Sequence, residues 1–214
     1  MLQLDIYRLF KTPLLYLLAA FAAVLPGSFW AMLGMPKDFD TWQYSTGIYS
    51  GIVFALLGIF LAFFIGNDFK SGFIKNIFCQ TSQKRKYTLS KLITGAVGSM
   101  VIYAGNLLGA VTFGVFAKGN MVTGLDDLIG GILTVFGMSF MFGGIFCCVD
   151  MFFKNRAWCG LFGSLMIGMI FMPALMIPFG SPLVFGGLAL VAGFISLCVF
   201  PSVAALVMDK SDLI

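Results

Sequence analysis

From Ala157 to Met208 the chain runs without a single charged side chain. Such a stretch cannot be shielded from water on the outside of a globule, but it suits a bilayer. A membrane helix needs about 20 consecutive, mostly apolar residues, because the hydrocarbon core is roughly 30 Å thick and a helix rises about 1.5 Å per residue. Earlier parts of the chain are built the same way. Apolar segments of suitable length cover about 13–33, 46–64, 92–117 and 128–149, and the uncharged stretch holds two more, about 157–173 and 188–208. The expected fold class is all-α and integral to a membrane: one transmembrane domain over 1–214 with six transmembrane helices. Composition closes the alternatives. Charged residues make up 10% of the chain and hydrophobic ones 60%, whereas a soluble domain carries about 25% charged residues. The same balance excludes disorder, which needs low hydrophobicity.

Charge between the segments orients them. Lys and Arg gather in cytoplasmic loops. With the N-terminus inside, the inner side takes Arg8, Lys11, Lys70, Lys75, Lys84, Arg85, Lys86, Lys91, Lys154, Arg156 and Lys210. Only Lys37 and Lys118 of the 13 basic residues fall outside. Both termini are therefore expected in the cytoplasm. Arg8 and Lys11 before an apolar run resemble a signal peptide, but the run continues past Pro26 to Leu33, so it is read as a retained span. Trp42 and Tyr44 suit the opposite membrane boundary.

Two segments are amphipathic rather than spanning. Leu2, Ile6, Leu9 and Phe10 share a helical seam, which reads as an interfacial helix on the cytoplasmic leaflet. Between the second and third spans, Phe69, Phe73, Ile74, Ile77 and Phe78 recur near helical spacing after Asn67, a plausible N-cap. This gives a short helix over about 67–79, with a further helix starting near Thr81 or Ser82 and leading into the third span. Five large apolar groups on one face suit docking against protein or burial in the interface. Pro173, Pro178 and Pro182 interrupt the last apolar stretch. They suggest a re-entrant element between spans five and six, or a kinked fifth helix.

Catalytic chemistry is scarce. The chain has no His, and all nine acidic residues are Asp. Ser/His and Cys/His catalysis and His-ligated zinc cannot be built. Cys79, Cys147, Cys148, Cys159 and Cys198 show no CxxC spacing and read as small apolar packers. No phosphate loop of the GxxxxGK[ST] type is present, so ATP hydrolysis is not expected in this chain. No catalytic or metal-ligating residue is assigned, and the chain is not expected to be an enzyme. Asp68 and Asp150 fall at cytoplasmic ends of spans, and no ionisable residue falls near a span centre. Asn106 is the most conspicuous polar group within one. A chain without its own energy source, but with an amphipathic cytoplasmic helix, suggests a membrane subunit driven by a separate motor.

Phe64-Ile-Gly-Asn-Asp68, Gly72-Phe-Ile-Lys75-Asn-Ile-Phe78, then Arg85 and Ser90-Lys91 resemble the cytoplasmic loop of type-2 ABC exporter permeases. Asp68, Gly72, Lys75, Arg85 and Lys91 match the family's acidic residue, Gly, Lys, Ser/Arg element and Lys. The family often has Glu at the Asp68 position and Pro near Thr81. The resemblance implies six spans per protomer, a homodimer with two cytoplasmic ATP-binding cassette subunits, and ATP with Mg²⁺ on those partners rather than on this chain. It makes the loop helix a coupling helix, with Asp68, Phe69, Gly72, Phe73, Ile74, Lys75, Ile77 and Phe78 as the ATPase-coupling residues. By size the chain looks like bacterial peptide exporters of the lantibiotic, bacitracin and phenol-soluble modulin class, placed in the cytoplasmic membrane. Their substrates would be amphipathic or antimicrobial peptides. Asn106, Met166, Met169, Met172 and Met176 are candidates for the peptide path, since thioethers suit promiscuous apolar binding. No nucleic acid is expected as partner.

A vitamin-importer substrate-binding subunit is the main alternative, since Ala19 and Ala23 match its small-residue motor contact. A channel or lipid scaffold is another. Small pairs at Gly47 and Gly51 and at Gly105 and Gly109 indicate close helix approach.

Overall fold

The computed structural model describes residues 2–33, 50–72, 84–118, 125–153, 158, 162–163, 165–166 and 182–210. Among these residues the protein is helical throughout, with no strand. The helices are α1 (Leu2–Lys11), α2 (Pro13–Leu33), α3 (Ser50–Lys70), α4 (Lys84–Lys118), α5 (Leu125–Phe153) and α6 (Pro182–Lys210). Three contain stretches long and apolar enough to cross a membrane: Lys86–Gly109, Ile132–Phe153 and Leu183–Phe200. The bent pair α1–α2 makes a fourth if it is one broken span. The protein is thus a helical membrane protein. Helix α3 occupies the place of the expected second span. The expected fifth span and the segment from Pro173 to Gly180 lie mostly outside the described residues.

Local chemistry explains the ends. Pro13 opens α2, where its missing N–H costs nothing and its ring excludes continuation from α1. The two helices meet at 59°. Thr12 braces the corner by donating its hydroxyl to the Arg8 carbonyl at 2.7 Å, and Tyr16 donates to the Phe10 carbonyl at 3.0 Å. Pro182 opens α6 in the same way. At the far end of α3, Gly72 adopts φ +68°, a left-handed conformation that a Cβ disfavours. The Ser71 N–H donates to the Asn67 carbonyl at 3.0 Å, closing the last turn.

That ending corrects the boundary of the loop helix. Residues Asn67 to Lys70 are the last turn of α3, not the first turn of a new helix. Asn67 is therefore no N-cap; its carbonyl serves the C-terminus of the helix before it. Hydropathy places the end of the second span near Phe64, because Asn67, Asp68 and Lys70 are polar. The helix continues because Asp68 finds buried partners. The remainder of the expected 67–79 helix, after Gly72, lies outside the described residues. Helix α4 begins at Lys84, two or three residues after the start expected near Thr81 or Ser82, and runs unbroken into the apolar stretch that opens at Leu92.

A continuous core joins α1 to α5. Leu9, Leu15, Leu57, Phe60, Leu61, Ile65, Leu92, Phe142 and Phe146 are all inaccessible to solvent. Helix α6 packs most extensively on α5. It leaves Leu188, Val191, Phe194, Ile195 and Val199 exposed, as does α2 with Leu17, Phe21 and Val24. Such faces suit lipid. Serines stitch the helices: Ser99 donates to the Ser139 carbonyl at 2.8 Å between α4 and α5. Ser196 of α6 donates to the Met141 carbonyl of α5 at 3.2 Å.

Two of the small-residue pairs meet each other, while Gly47 lies outside the described residues. A Cβ at Gly105 would stand 2.6 Å from the Ala19 carbonyl oxygen, and one at Gly109 would collide with that of Ala23. The two motifs therefore form one α2–α4 contact within this chain. Gly137 on α5 admits the backbone of Ala189 and Leu190 on α6 in the same way. Replacing Gly109 by Val should force α2 and α4 apart and cost about 1–3 kcal/mol. Gly187→Ala, where a Cβ meets nothing within 4 Å, should be tolerated. Thermal unfolding of both variants in detergent checks this; equal melting temperatures would contradict the contact.

Candidate functional site

Four charges converge where α1, α3 and α4 meet. Lys91 lies in the second turn of α4, and its side chain is fully buried. Its ammonium sits 2.7 Å from Asp5 Oδ1 of α1 and 2.5 Å from Asp68 Oδ2 of α3. The rings of Phe64 and Tyr87 lie under the same ammonium, with centroids at 4.8 and 5.4 Å. Arg8 closes the chain of charges, with Nη2 2.8 Å from Asp68 Oδ1. Two cations and two carboxylates give a neutral cluster, which is the condition for placing charge in an apolar interior.

Hydroxyls complete the carboxylates. Ser90 donates to Asp5 Oδ2 at 2.6 Å, and Tyr87 donates to Asp68 Oδ2 at 3.4 Å. The helical spacing of Tyr87, Ser90, Lys91 and Thr94 puts these groups along the buried side of α4. Thr94 returns its hydroxyl to the Ser90 carbonyl at 2.7 Å. The Cys147 thiol of α5 lies 3.5 Å from the Lys91 carbonyl, a weak link to the fourth helix. Asp5, with 2% exposure, and Leu9 form the buried side of α1. Leu2, Leu4, Tyr7 and Phe10 are exposed instead. The expected seam of Leu2, Ile6, Leu9 and Phe10 thus contributes Leu9 fully to the interior. An ion pair, rather than an apolar stripe, decides which side of α1 faces inward.

The expected coupling residues divide. Asp68 is fully buried and held by Lys91, Arg8 and Tyr87, so its carboxylate faces the interior rather than a partner. Phe69 packs against the core, and Gly72 ends α3. Phe73, Ile74, Lys75, Ile77 and Phe78 lie outside the described residues. Lys91, counted from sequence with the loop cations, is a buried member of α4. Of the path candidates, Asn106 is 2% exposed within α4, and Met166 is 61% exposed. Met169, Met172 and Met176 lie outside the described residues.

Sequence reasoning overlooked Asp5, although a signal existed. It is the sole acid of an amphipathic helix and sits one turn before Leu9. Lys91 also carried a signal, because no other charge follows it before Lys118. Asp150 is a further buried carboxylate in α5, with neither oxygen hydrogen-bonded among the described residues. Cys147, Cys148 and Cys198 are free thiols, and Cys79 and Cys159 lie outside the described residues. No metal-ligating group of His, Cys, Asp or Glu occurs among the described residues.

No family model matches the chain, and no curated protein or solved structure matches it either.

The cluster makes a graded prediction. Lys91→Met strands Asp5 and leaves Asp68 with Arg8 alone, and should cost about 3–5 kcal/mol. Asp5→Asn should cost less, because Lys91 keeps Asp68. Melting temperatures in detergent give the order; a Lys91→Met protein as stable as the unaltered one would contradict the cluster's role.

Proposed function

We propose that this chain is the membrane-spanning subunit of an ATP-driven exporter. On this reading it has six spans, and both termini are in the cytoplasm of a bacterium. It works as a homodimer with two cytoplasmic ATP-binding cassette subunits, which bind ATP and Mg²⁺. Its cargo is amphipathic or antimicrobial peptide. The observation that carries the reading is the pairing of Asp68 with Lys91 across the 73–83 segment. The residues on either side of the expected docking loop are fastened to each other and to α1.

This arrangement suits a subunit that is moved from outside. An apolar helix face seated in a partner's groove is a standard docking mode. If Phe73 and Ile74 dock in the ATPase, a displacement of that segment reaches α3 through Asp68 and α4 through Lys91. The Asp5 and Arg8 contacts carry it to α1 in the same step. Closure of the partner subunits on ATP would then move three helices as one body, a rigid-body change of the kind that alters access across a membrane. The peptide would leave along a path that includes Asn106 and the Met166–Met176 stretch. The importer alternative loses support at its contact motif, since Ala19 and Ala23 are occupied by Gly105 and Gly109 of the same chain.

Affinity purification of the intact protein from its own host, in mild detergent, should recover a soluble ATPase in equal amount. Replacing Phe73 and Ile74 by Asp should abolish that recovery and leave membrane insertion unchanged. Recovery of the ATPase with the double variant would refute the docking assignment. A second membrane protein in place of the ATPase, or a tightly held vitamin, would refute the exporter.

A further inference from the structure

Beside the charge cluster, the corner between α1 and α2 opens into a pocket of about 490 Å³ against the end of α3. Arg8, Lys11 and Lys70 line it, and among the described residues no carboxylate does. Asn67 and Thr12 add polar groups at the same level. The rest of the lining is largely apolar, with Leu14, Phe60, Phe63 and Phe64. We propose that this pocket binds an anionic phospholipid, with its phosphate between Lys11 and Lys70 and its acyl chains along Phe63 and the outer face of α2.

Charge and placement commit the site to that occupant. Asp68 is spoken for by Arg8 and Lys91, so it does not neutralise the two lysines. Among the described residues neither Lys11 nor Lys70 has a carboxylate partner, and both are exposed. Lys11 lies 5.7 Å from the Tyr7 ring centroid, a contact that leaves its charge in place. A cationic peptide would be repelled here. A free phosphate would gain the charges and waste the aromatic wall. A lipid uses both, because its phosphate lies directly above its chains. The surroundings fit: Leu4, Tyr7 and Phe10 are exposed on α1, which makes that helix one that lies in a membrane surface. From there Tyr16, Leu17 and Phe21 run exposed along α2 as a track for hydrocarbon.

The site has a consequence for the cluster. Arg8 lines the pocket and also holds Asp68, so a bound phosphate and Asp68 share one guanidinium. Lipid occupancy is thereby linked to the junction of α1, α3 and α4. This inference stands apart from the transport reading and needs only that the chain lies in a bilayer.

Native mass spectrometry of the intact protein in neutral detergent tests it, with phosphatidylglycerol and phosphatidylcholine of identical chains as probes, and inorganic phosphate as the headgroup control. Phosphatidylglycerol should be retained over phosphatidylcholine at one saturable site. Each basic residue near the surface contributes about 1 kcal/mol toward anionic lipid, so the K11Q/K70Q variant should lose roughly 25-fold in affinity for phosphatidylglycerol. Phe63→Ser should weaken lipid binding and leave the melting temperature unchanged. Equal retention of the two lipids, or unaltered affinity in K11Q/K70Q, would overturn the site. Displacement of phosphatidylglycerol by equimolar inorganic phosphate would overturn the lipid assignment in favour of a free-anion site. Loss of phosphatidylglycerol when an acidic protein partner is added, without lipid preference in its absence, would overturn it in favour of a protein contact.

Discussion

Lys91 keeps its ammonium where water does not reach, and two carboxylates from two other helices have to come to it. Desolvating an ion costs several kcal/mol even after relaxation, so an ammonium buried there needs opposite charge in contact with it. The geometry answers with Asp5 and Asp68 in direct contact and two aromatic faces beneath. Arg8 then balances the second carboxylate. Each requirement fixes an element. Asp5 holds α1 against the bundle, and the reach of Lys91 sets how closely α3 approaches α4. The need to deliver Asp68 explains why α3 continues one turn past its apolar run before Gly72 ends it. Asp5 and Arg8 each have one counterpart here, while Lys91 and Asp68 each have two, so the chain of pairs runs through α1, α3 and α4 and holds the three helices as a unit.

Away from the cluster, a different kind of contact takes over. Lipid is as apolar as a leucine side chain, so helices in a bilayer gain little by hiding hydrophobic surface from it. Close backbone approach and short hydrogen bonds do the work instead. Gly105 and Gly109 let α4 rest on the carbonyls of α2, and Gly137 lets α5 receive α6. Ser99 and Ser196 add hydrogen bonds to facing carbonyls. On α6 small residues make the contact and bulky ones face outward, so it exposes Leu188, Phe194 and Ile195 and is still well seated.

The fold was readable to the extent that it rests on hydropathy. The start of α2 at Pro13 and the core of α5 follow from runs of apolar residues and from proline chemistry. What hydropathy conceals is polar residues inside helices. It stops α3 at Phe64 and starts the third span at Leu92, because Asp68 and Lys91 look like loop residues until they are seen to neutralise each other. Asp5 was missed for the same reason: its partner is 86 positions away in sequence. A spacing pattern within one helix cannot report a charge pair between two. The small-residue pairs were visible as motifs, but their meeting was not, since Ala19 and Gly105 belong to different helices.

The two kinds of contact differ in what they permit. A charge cluster with fixed partners has one low-energy arrangement, because sliding it by one turn would separate every pair. A seam of glycines against backbone holds no ion pair, so a small shift along it separates no charges. On the exporter reading, this puts the stiff joint beside the segment that would receive the partner's push and the compliant seams farther from it. Movement entering between Asp68 and Lys91 would displace α1, α3 and α4 together. The α5–α6 pair, tied to them mainly by Ser99 and by packing, would be the body they move against. A lipid phosphate drawing on Arg8 at the rim would act on the stiff joint itself, where a small change in charge balance is felt by three helices at once.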